Sequence, residues 1–265
     1  LAPALPLNSP VLADEEPGAT DPLEGQRCIL HDDEIVVAYT PIKTTTGNYG
    51  HIQDGLYYPD KNLDLGPLNT TSPRKMMLYP PYAYIATTAG RMHTTKNDEY
   101  FDVYRGIYSA DGSSLYIESF DPKAGTHYGR YDWSGLYGKM HLDCATGDFN
   151  GDGKDEVVVA YEGKCNHLNL AIVKGSGNGF ALAKRYDETE YILTGEKEIA
   201  VATGDFDGDG TDEIAVICEA GKKGQAWLEL YDVSTGFKIV HKDRKKLTEP
   251  GELAWTVTYP PLDIA

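Results

Sequence analysis

The sequence predicts an all-β protein that is built from repeated units of four antiparallel strands. The segment "ATGDFNGDGKDEVVVAY" at 145–161 returns as "ATGDFDGDGTDEIAVIC" at 202–218, with 11 of 17 residues identical. An Asp-Glu pair also precedes an apolar run four times, at 33, 98, 155 and 212. Recurrence at a fixed spacing is typical of repeat architectures, and we find no helical periodicity with helix caps.

Strand patterns follow one another in regular order within the last repeat. "EIAVATG" at 198–204 and "EIAVICE" at 213–219 flank the acidic segment, and "AWLELYDV" at 226–233 alternates apolar and polar side chains. A shorter and more polar strand, "FKIVHKD" at 237–243, completes the set. Four short strands with glycine-rich turns in about 57 residues predict one blade of a β-propeller.

The repeats divide the chain into a leader and a propeller segment. Residues 26–265 hold about four repeats and the start of a fifth, because Ile264-Ala265 matches Ile85-Ala86. Residues 1–25 are rich in proline and then acidic, without alternation. They are either a flexible leader or linker, or the end of a secretory signal cleaved after Ala13, although the charged start of a signal is absent. Both interpretations keep them outside the propeller.

The end of the chain leaves two arrangements open. "YPPLDIA" at 259–265 is similar to "YPPYAYIA" at 79–86, which enters the first strand of the second repeat. Either the C-terminal segment docks beside residues 34–39 and closes a small four-bladed ring, or the chain is one piece of a larger propeller. We expect the larger propeller, in which a partner chain or the remainder of a longer chain covers the open sheet edge.

The duplicated loop has the composition of a calcium site. Calcium takes about six to eight oxygen ligands, and alternate positions of a tight loop direct their side chains inward. Positions 1, 3, 5 and 9 offer side chains and position 7 offers a backbone carbonyl: Asp148, Asn150, Asp152, Lys154 and Glu156, then Asp205, Asp207, Asp209, Thr211 and Glu213. An EF-hand is excluded, because its position 12 falls on Val159 and Val216 within a strand. The sequence therefore predicts two structural calcium ions.

The alternative for these two loops is an acidic β-turn that is stable without metal. The convergent carboxylates would repel one another without a cation, which favours the metal site. Asp155 and Asp212 stand at position 8 of the loops. We expect them to bond local backbone rather than metal.

The two earlier repeats lack the ligand pattern. In the second repeat, positions 1, 3 and 5 are Arg91, His93 and Thr95. A cationic residue opposes calcium binding, so we expect no metal in that loop. The first repeat keeps only Asp33 and Glu34.

The acidic loops resemble a known repeat family. "GDFNGDGKDEVVV" and "GDFDGDGTDEIAV" are similar to the FG-GAP/VCBS repeats of integrin-α-type β-propellers, which also occur in many secreted bacterial and fungal proteins. The resemblance implies the propeller fold and leaves the function open, since propellers host unrelated activities. This sequence departs from the family at position 9, where Glu stands in place of the more common Asp.

Composition indicates an extracellular or cell-surface domain. The chain has 265 residues, 41% of them hydrophobic, and can bury a sizeable core. No segment is long enough to insert in a membrane. The net charge of −17 argues against nucleic acid and anionic membrane surfaces as partners. Four cysteines allow two disulfides in three connectivities, of which we favour one that pairs Cys144 with Cys165.

An aromatic segment at 126–141 is the candidate ligand-binding surface. We expect it to form one connection between blades that presents Tyr128, Arg130, Tyr131, Asp132, Trp133 and Tyr137. Aromatic faces beside polar groups suit a carbohydrate or a protein hot spot. The alternative, which we favour, is that these rings fill the gap between adjacent blades.

No catalytic motif is present, so we do not expect an enzyme. The favoured function is a calcium-binding adhesion or recognition module that binds a protein or glycan ligand. One alternative is the propeller portion of a secreted polysaccharide-degrading enzyme, although we find no cluster of basic and carboxylate residues for catalysis. Another is a structural assembly segment of a larger extracellular protein.

Overall fold

The protein is described by a computed structural model, and its described elements are all β-strands. The structure describes residues 35–39, 53–57, 85–94, 98–106, 114–121, 126–133, 141–163, 166–193, 199–220 and 225–247. The predicted all-β class is confirmed. The leader at 1–25 and the predicted start of a fifth repeat at 264–265 lie outside the described residues. None of the described elements is a helix that could span a membrane.

The described strands form one two-stranded sheet and three four-stranded sheets, all antiparallel and each in chain order. The first sheet has β1 (Ile35–Tyr39) and β2 (Gln53–Tyr57); the second has β3 (Ile85–Gly90), β4 (Glu99–Gly106), β5 (Ser114–Asp121) and β6 (Thr126–Trp133). The third has β7 (Leu142–Gly147), β8 (Glu156–Glu162), β9 (His167–Ser176) and β10 (Gly179–Ile192). The fourth has β11 (Ile199–Gly204), β12 (Glu213–Glu219), β13 (Ala226–Ser234) and β14 (Lys238–Lys246).

The sequence repeat corresponds to one four-stranded sheet. In the second, third and fourth sheets, the glutamate of each Asp-Glu pair begins the second strand and lies opposite the glycine that ends the first strand: Glu99 with Gly90, Glu156 with Gly147, and Glu213 with Gly204. The four strands predicted within 198–243 are present as β11 to β14. The acidic loops therefore connect the first and second strands of their sheets.

The first strands of the three larger sheets lie side by side, with β7 between β3 and β11. Threonine hydroxyls join them across the sheet boundaries. Thr146 Oγ1 donates to the carbonyl of Ala89 at 2.5 Å, and Thr203 Oγ1 donates to the carbonyl of Thr146. β1 of the first sheet also contacts β3.

The hydrophobic core lies between the sheets, in two layers. Side chains of β8 alternate between them, as the two-residue period of a strand requires. Val157 and Val159 belong to the layer between the second and third sheets, whereas Val158 and Ala160 belong to the layer between the third and fourth. A strand covered on both faces needs apolar residues at every position, which explains the continuous apolar run of β8.

The structure corrects the favoured disulfide. Cys144 and Cys218 are buried free thiols. Cys144 lies opposite Val159 within the paired strands, whereas Cys165 follows the end of β8 and lies outside the described residues, as Cys28 does. Burial raises the pKa of both described thiols, so they behave as packing groups rather than as reactive thiolates.

Candidate metal centre

The two acidic loops have the same backbone architecture. In the first loop, Asp148 Oδ1 accepts hydrogen bonds from the N–H groups of Gly151 at 2.7 Å and Asp152 at 3.1 Å, and its Oδ2 accepts one from Gly153 at 2.7 Å. Gly151 and Gly153 have φ of 71° and 79°, a left-handed conformation in which a Cβ is strained. The position-1 aspartate thus folds the loop around its own carboxylate.

The second loop repeats two of these three contacts, and the N–H of Asp209 donates instead to Asp207 Oδ1 at 3.1 Å. Asp205 Oδ1 accepts from the N–H of Gly208 at 2.7 Å, and its Oδ2 accepts from Gly210 at 3.1 Å. One carboxylate oxygen from each of Asp205, Asp207 and Asp209 lies within 4.8 Å of the others, and all three residues are exposed. Three oxygens at this separation could surround a divalent cation.

The glutamate at position 9 accepts a hydrogen bond from the backbone of its own loop. Glu156 Oε2 accepts from the N–H of Phe149 at 3.2 Å, and Glu213 Oε2 accepts from the N–H of Phe206 at 2.7 Å. Glu156 Oε1 also accepts from Asn150 Nδ2 at 2.8 Å. This bond leaves Asn150 Oδ1 buried with no hydrogen-bond partner. An amide oxygen in that state suits a hard cation, which fits the predicted role of Asn150.

The negative charges of the carboxylates within each loop repel one another. Burial, and then repulsion by Asp152, Asp148 and Asp155, raises the pKa of Glu156 to about 8. Burial, followed by the charges of Asp207 and Asp209, also raises the pKa of Glu213. A cation bound in either loop would offset this cost.

The exposed members of the loops are held by local hydrogen bonds. Asp152 Oδ1 accepts from the N–H of Lys154 at 2.9 Å. Asp209 Oδ1 accepts from both the N–H and the hydroxyl of Thr211, which lower its pKa. The two metal sites, including the carbonyls of Lys154 and Thr211, remain predictions.

The aspartates at position 8 join neighbouring sheets, which corrects the expectation that they bond local backbone. Asp155 Oδ2 accepts from the N–H of Arg91 at 2.6 Å, and the N–H of Asp155 donates to the carbonyl of Arg91 at 3.1 Å. Asp212 makes the same two bonds with Asp148, at 2.8 and 3.1 Å. Each partner stands at position 1 of the preceding repeat. We call the two hydrogen bonds between a position-8 aspartate and this partner the inter-sheet clamp.

Two glycines make room for the clamp. A Cβ on Gly90 would lie 2.8 Å from Asp155 Oδ2, and a Cβ on Gly147 would lie 2.8 Å from Asp212 Oδ2. A glycine stands directly before position 1 in the second, third and fourth repeats, at Gly90, Gly147 and Gly204. This recurrence is the signal in the sequence that could have pointed to the close approach of the clamp aspartate.

Residues 148–216 match the family model of the FG-GAP-like repeat. The chain carries an FG-GAP-like repeat. The match runs from position 1 of the first acidic loop into β12, and it confirms the resemblance to the FG-GAP family that these loops suggested. No curated protein matches the sequence.

Solved structures are similar to this chain at low sequence identity. A mutant of AofleA from Arthrobotrys oligospora is similar with a TM-score of 0.54 and 10% identity, over 83% of this chain and 55% of that one. The rhamnogalacturonan lyase YesW has a TM-score of 0.46 and 12% identity, over 84% and 49%. A rhamnogalacturonan lyase PL11 of Bacillus licheniformis has 0.44 and 12%, over 82% and 48%. The chain spans about half the length of these structures.

The aromatic segment lies on a strand rather than in a connection, which corrects the expectation from sequence. Tyr128, Arg130, Tyr131 and Asp132 lie in β6, the outer strand of the second sheet, and Trp133 ends that strand. Tyr137 lies outside the described residues. The polar and aromatic residues at 126–133 carry no clear apolar face, so the sequence has no alternation that marks a strand there.

The described rings of β6 pack against neighbours. Tyr128 stacks on His93 with ring centroids 4.0 Å apart, and Tyr131 packs on the core layer between the second and third sheets. The Arg130 guanidinium lies 4.7 Å from the centroid of the Tyr116 ring. These contacts fit the packing role that we favoured, whereas Asp132 is exposed at this edge.

Proposed function

We propose that the chain is a calcium-stabilised β-propeller segment of a secreted or cell-surface protein and acts as a recognition module for a protein or glycan ligand. The observation that carries the proposal is the same clamp between two successive pairs of sheets, Asp155 with Arg91 and Asp212 with Asp148. Equivalent contacts repeated from sheet to sheet, with the first strands side by side, are what a radial array of blades requires.

Calcium has a structural role in this proposal. Each ion would bind between the first two strands of a blade, through the side chains of Asp148, Asn150, Asp152 and Glu156, or of Asp205, Asp207, Asp209 and Glu213. Asp148 and Arg91 stand at the same clamp position, and only the former would also bind metal. An ion on Asp148 therefore fixes both its own loop and the N–H that Asp212 engages.

A larger propeller is supported by the fourth sheet. The position-2 residue of the loop is 3% exposed at Met92 and 0% at Phe149, where the next sheet covers it, but 54% at Phe206. We propose that a further repeat covers Phe206 and clamps Asp205, and that this repeat belongs to a longer chain.

Alanine at Gly204 tests this face in the full-length protein. If a further repeat docks there, Gly204→Ala lowers the thermal midpoint about as much as Gly147→Ala, because both would crowd a clamp aspartate. The Cβ of an alanine at Gly204 otherwise meets the Phe206 ring at 3.0 Å, which can turn aside into solvent. A midpoint unchanged by Gly204→Ala, with Gly147→Ala strongly lowered, would exclude the docked repeat.

Ligand recognition is assigned to the outer edge of the second sheet. Arg130 and Asp132 are exposed residues of opposite charge on this edge, which can hydrogen-bond a sugar or a protein loop, and the Arg130 guanidinium lies over the buried Tyr116 ring. A glycan array and a size-exclusion profile, with Asp132→Ala and Arg130→Ala as variants, test this role. Loss of binding in both variants with unchanged melting supports it.

Two outcomes would replace the recognition role. Release of oligosaccharides from a bound polysaccharide would identify the propeller portion of a degrading enzyme. An absence of any glycan or protein ligand, with tight association to the remainder of a longer chain, would identify a structural assembly segment.

A further inference from the structure

The loop of the second repeat contains a buried histidine–glutamate contact where the other two loops offer a metal site. His93 Nδ1 lies 2.7 Å from Glu99 Oε2, and His93 Nε2 lies 2.7 Å from the carbonyl oxygen of Gly179. The side chains of His93 and Glu99 are 3% and 0% exposed. We propose that the imidazolium of His93 is a built-in cation that replaces the metal ion in this repeat.

The two residues stand at the ligand positions of the loop. Counting along the repeat, His93 corresponds to Asn150 and Asp207 at position 3, and Glu99 corresponds to position 9. The side chain at position 3 contacts the glutamate in both loops: Asn150 Nδ2 donates to Glu156 Oε1, and His93 Nδ1 lies 2.7 Å from Glu99 Oε2. The two loops share this contact but differ in how they supply a cation. Asn150 has a buried oxygen that can bind a cation, whereas His93 itself carries the positive charge.

Glu99 is surrounded by donors. Its Oε1 accepts from the backbone N–H of His93 at 2.7 Å, and its Oε2 accepts from Ser119 Oγ at 3.1 Å as well as facing His93 Nδ1. The two donors that do not depend on the histidine ring, the backbone N–H of His93 and the hydroxyl of Ser119, favour the ionised form of the carboxyl group, which is an acceptor at every lone pair. A buried ionised carboxylate requires a cation as partner.

His93 supplies that charge. Its Nε2 faces a backbone carbonyl, which can only accept, so Nε2 carries hydrogen. Its Nδ1 faces the ionised carboxylate and carries hydrogen for the same reason, and a ring with both hydrogens is positively charged. The stacked ring of Tyr128 at 4.0 Å gives the cation an electron-rich face.

The other cationic residue of this loop, Arg91, pairs with a different carboxylate. Arg91 Nε lies 3.6 Å from Asp98 Oδ1, and both side chains are about half exposed. Among the described residues, His93 is the cation whose nitrogen lies within ion-pair distance of Glu99. The guanidinium therefore does not neutralise the buried carboxylate.

The pair also joins two sheets, as the proposed metal sites do through their clamps. Glu99 begins β4 of the second sheet, and Gly179 begins β10 of the third. Removal of calcium should therefore loosen the loops at 148–156 and 205–213 and leave the second repeat intact.

Nitrogen NMR of the wild-type protein tests the protonation state directly. At neutral pH, both ring nitrogens of His93 should resonate in the range of protonated nitrogens and show slowly exchanging ring protons. His241 is the matched control. Its partner Glu229 also has Arg244 Nε at 2.7 Å, so charge balance there does not require a hydrogen on both ring nitrogens of His241. A His93 Nδ1 in the range of an unprotonated nitrogen would overturn the proposal.

A double-mutant cycle separates charge from packing. His93→Asn alone leaves a buried carboxylate unpaired, so it should lower the denaturation midpoint much more in wild type than in a Glu99→Gln background. The effect should be the same with calcium and with chelator. Equal effects in both backgrounds, or a calcium ion bound by the second repeat of the wild-type protein, would contradict the built-in cation.

Discussion

The carboxylate of Asp212 accepts a hydrogen bond from the backbone N–H of Asp148 at 2.8 Å, while its own N–H donates to the carbonyl of Asp148 at 3.1 Å. The first acidic loop is thereby fixed from the fourth sheet. Asp155 holds Arg91 in the same way one repeat earlier. The clamp therefore accompanies a candidate metal ligand in one case and an arginine in the other, so it does not depend on metal.

The clamp predicts a stability effect without calcium. Asp212→Ala removes both the acceptor and its charge and should cost about 1–3 kcal/mol in the free energy of unfolding, as for a bond to a charged group. The measurement is urea denaturation in chelator. Asp232→Ala is the control, because its contact is the exposed pair with Lys242 at 3.1 Å, and it should cost less than about 1 kcal/mol. Equal costs would contradict the clamp.

The close approach of Gly147 to the clamp predicts that a larger residue there lowers stability. Gly147→Ala should destabilise the protein, because the new Cβ would lie 2.8 Å from Asp212 Oδ2 and 3.2 Å from Thr203 Cβ. Gly179→Ala is the control, since its nearest neighbour would be 4.0 Å away. Thermal melting of both variants checks the prediction, and a larger effect at Gly179 would refute it.

Two calcium ions are expected to bind, with the second loop tighter than the first. Its four carboxylates exceed the three of the first loop, and ligand charge helps to set affinity. Calorimetry should resolve two sites, of which Asp207→Ala abolishes the tighter and Asn150→Ala the weaker. A chelator should lower the melting temperature. A single calcium site, or a melting temperature that is the same with and without chelator, would exclude two structural calcium ions.

Calcium binding at the first loop should release a proton near neutral pH. Burial, and then the neighbouring aspartates, raises the pKa of Glu156 to about 8 from an ordinary value of 4.5. Between these values the folded metal-free protein holds a proton that the unfolded chain has lost, so its stability falls as pH rises across this window. Binding heats measured at neutral pH in buffers of different ionisation enthalpy should differ, and should converge above pH 8. Identical heats at neutral pH would show that Glu156 is already ionised.

The strand order and the loop positions could be predicted because they depend on short-range patterns. The period-2 alternation of β13 and the unbroken apolar run of β8 both specify strands, and the acidic loops between strands are recognisable from their own residues. β6 could not be predicted as a strand, since its mixture of tyrosine, arginine and aspartate has no apolar face to mark it. The pairing of Cys144 with Cys165 is wrong, because Cys144 is a free thiol whose strand register places it opposite Val159.

The sequence by itself determined the all-β class, the four-strand repeat and the oxygen-rich loops, because each follows from residues within one repeat. Only the tertiary structure decided what Asp155, Asp212 and His93 contact. Their partners lie 64 residues away for the aspartates and 86 for the histidine, on neighbouring sheets. A sequence pattern specifies which groups a strand presents, whereas the packing of one sheet on the next specifies which of them meet. For this reason the same loop position could be a metal ligand in one repeat and an inter-sheet cation in another.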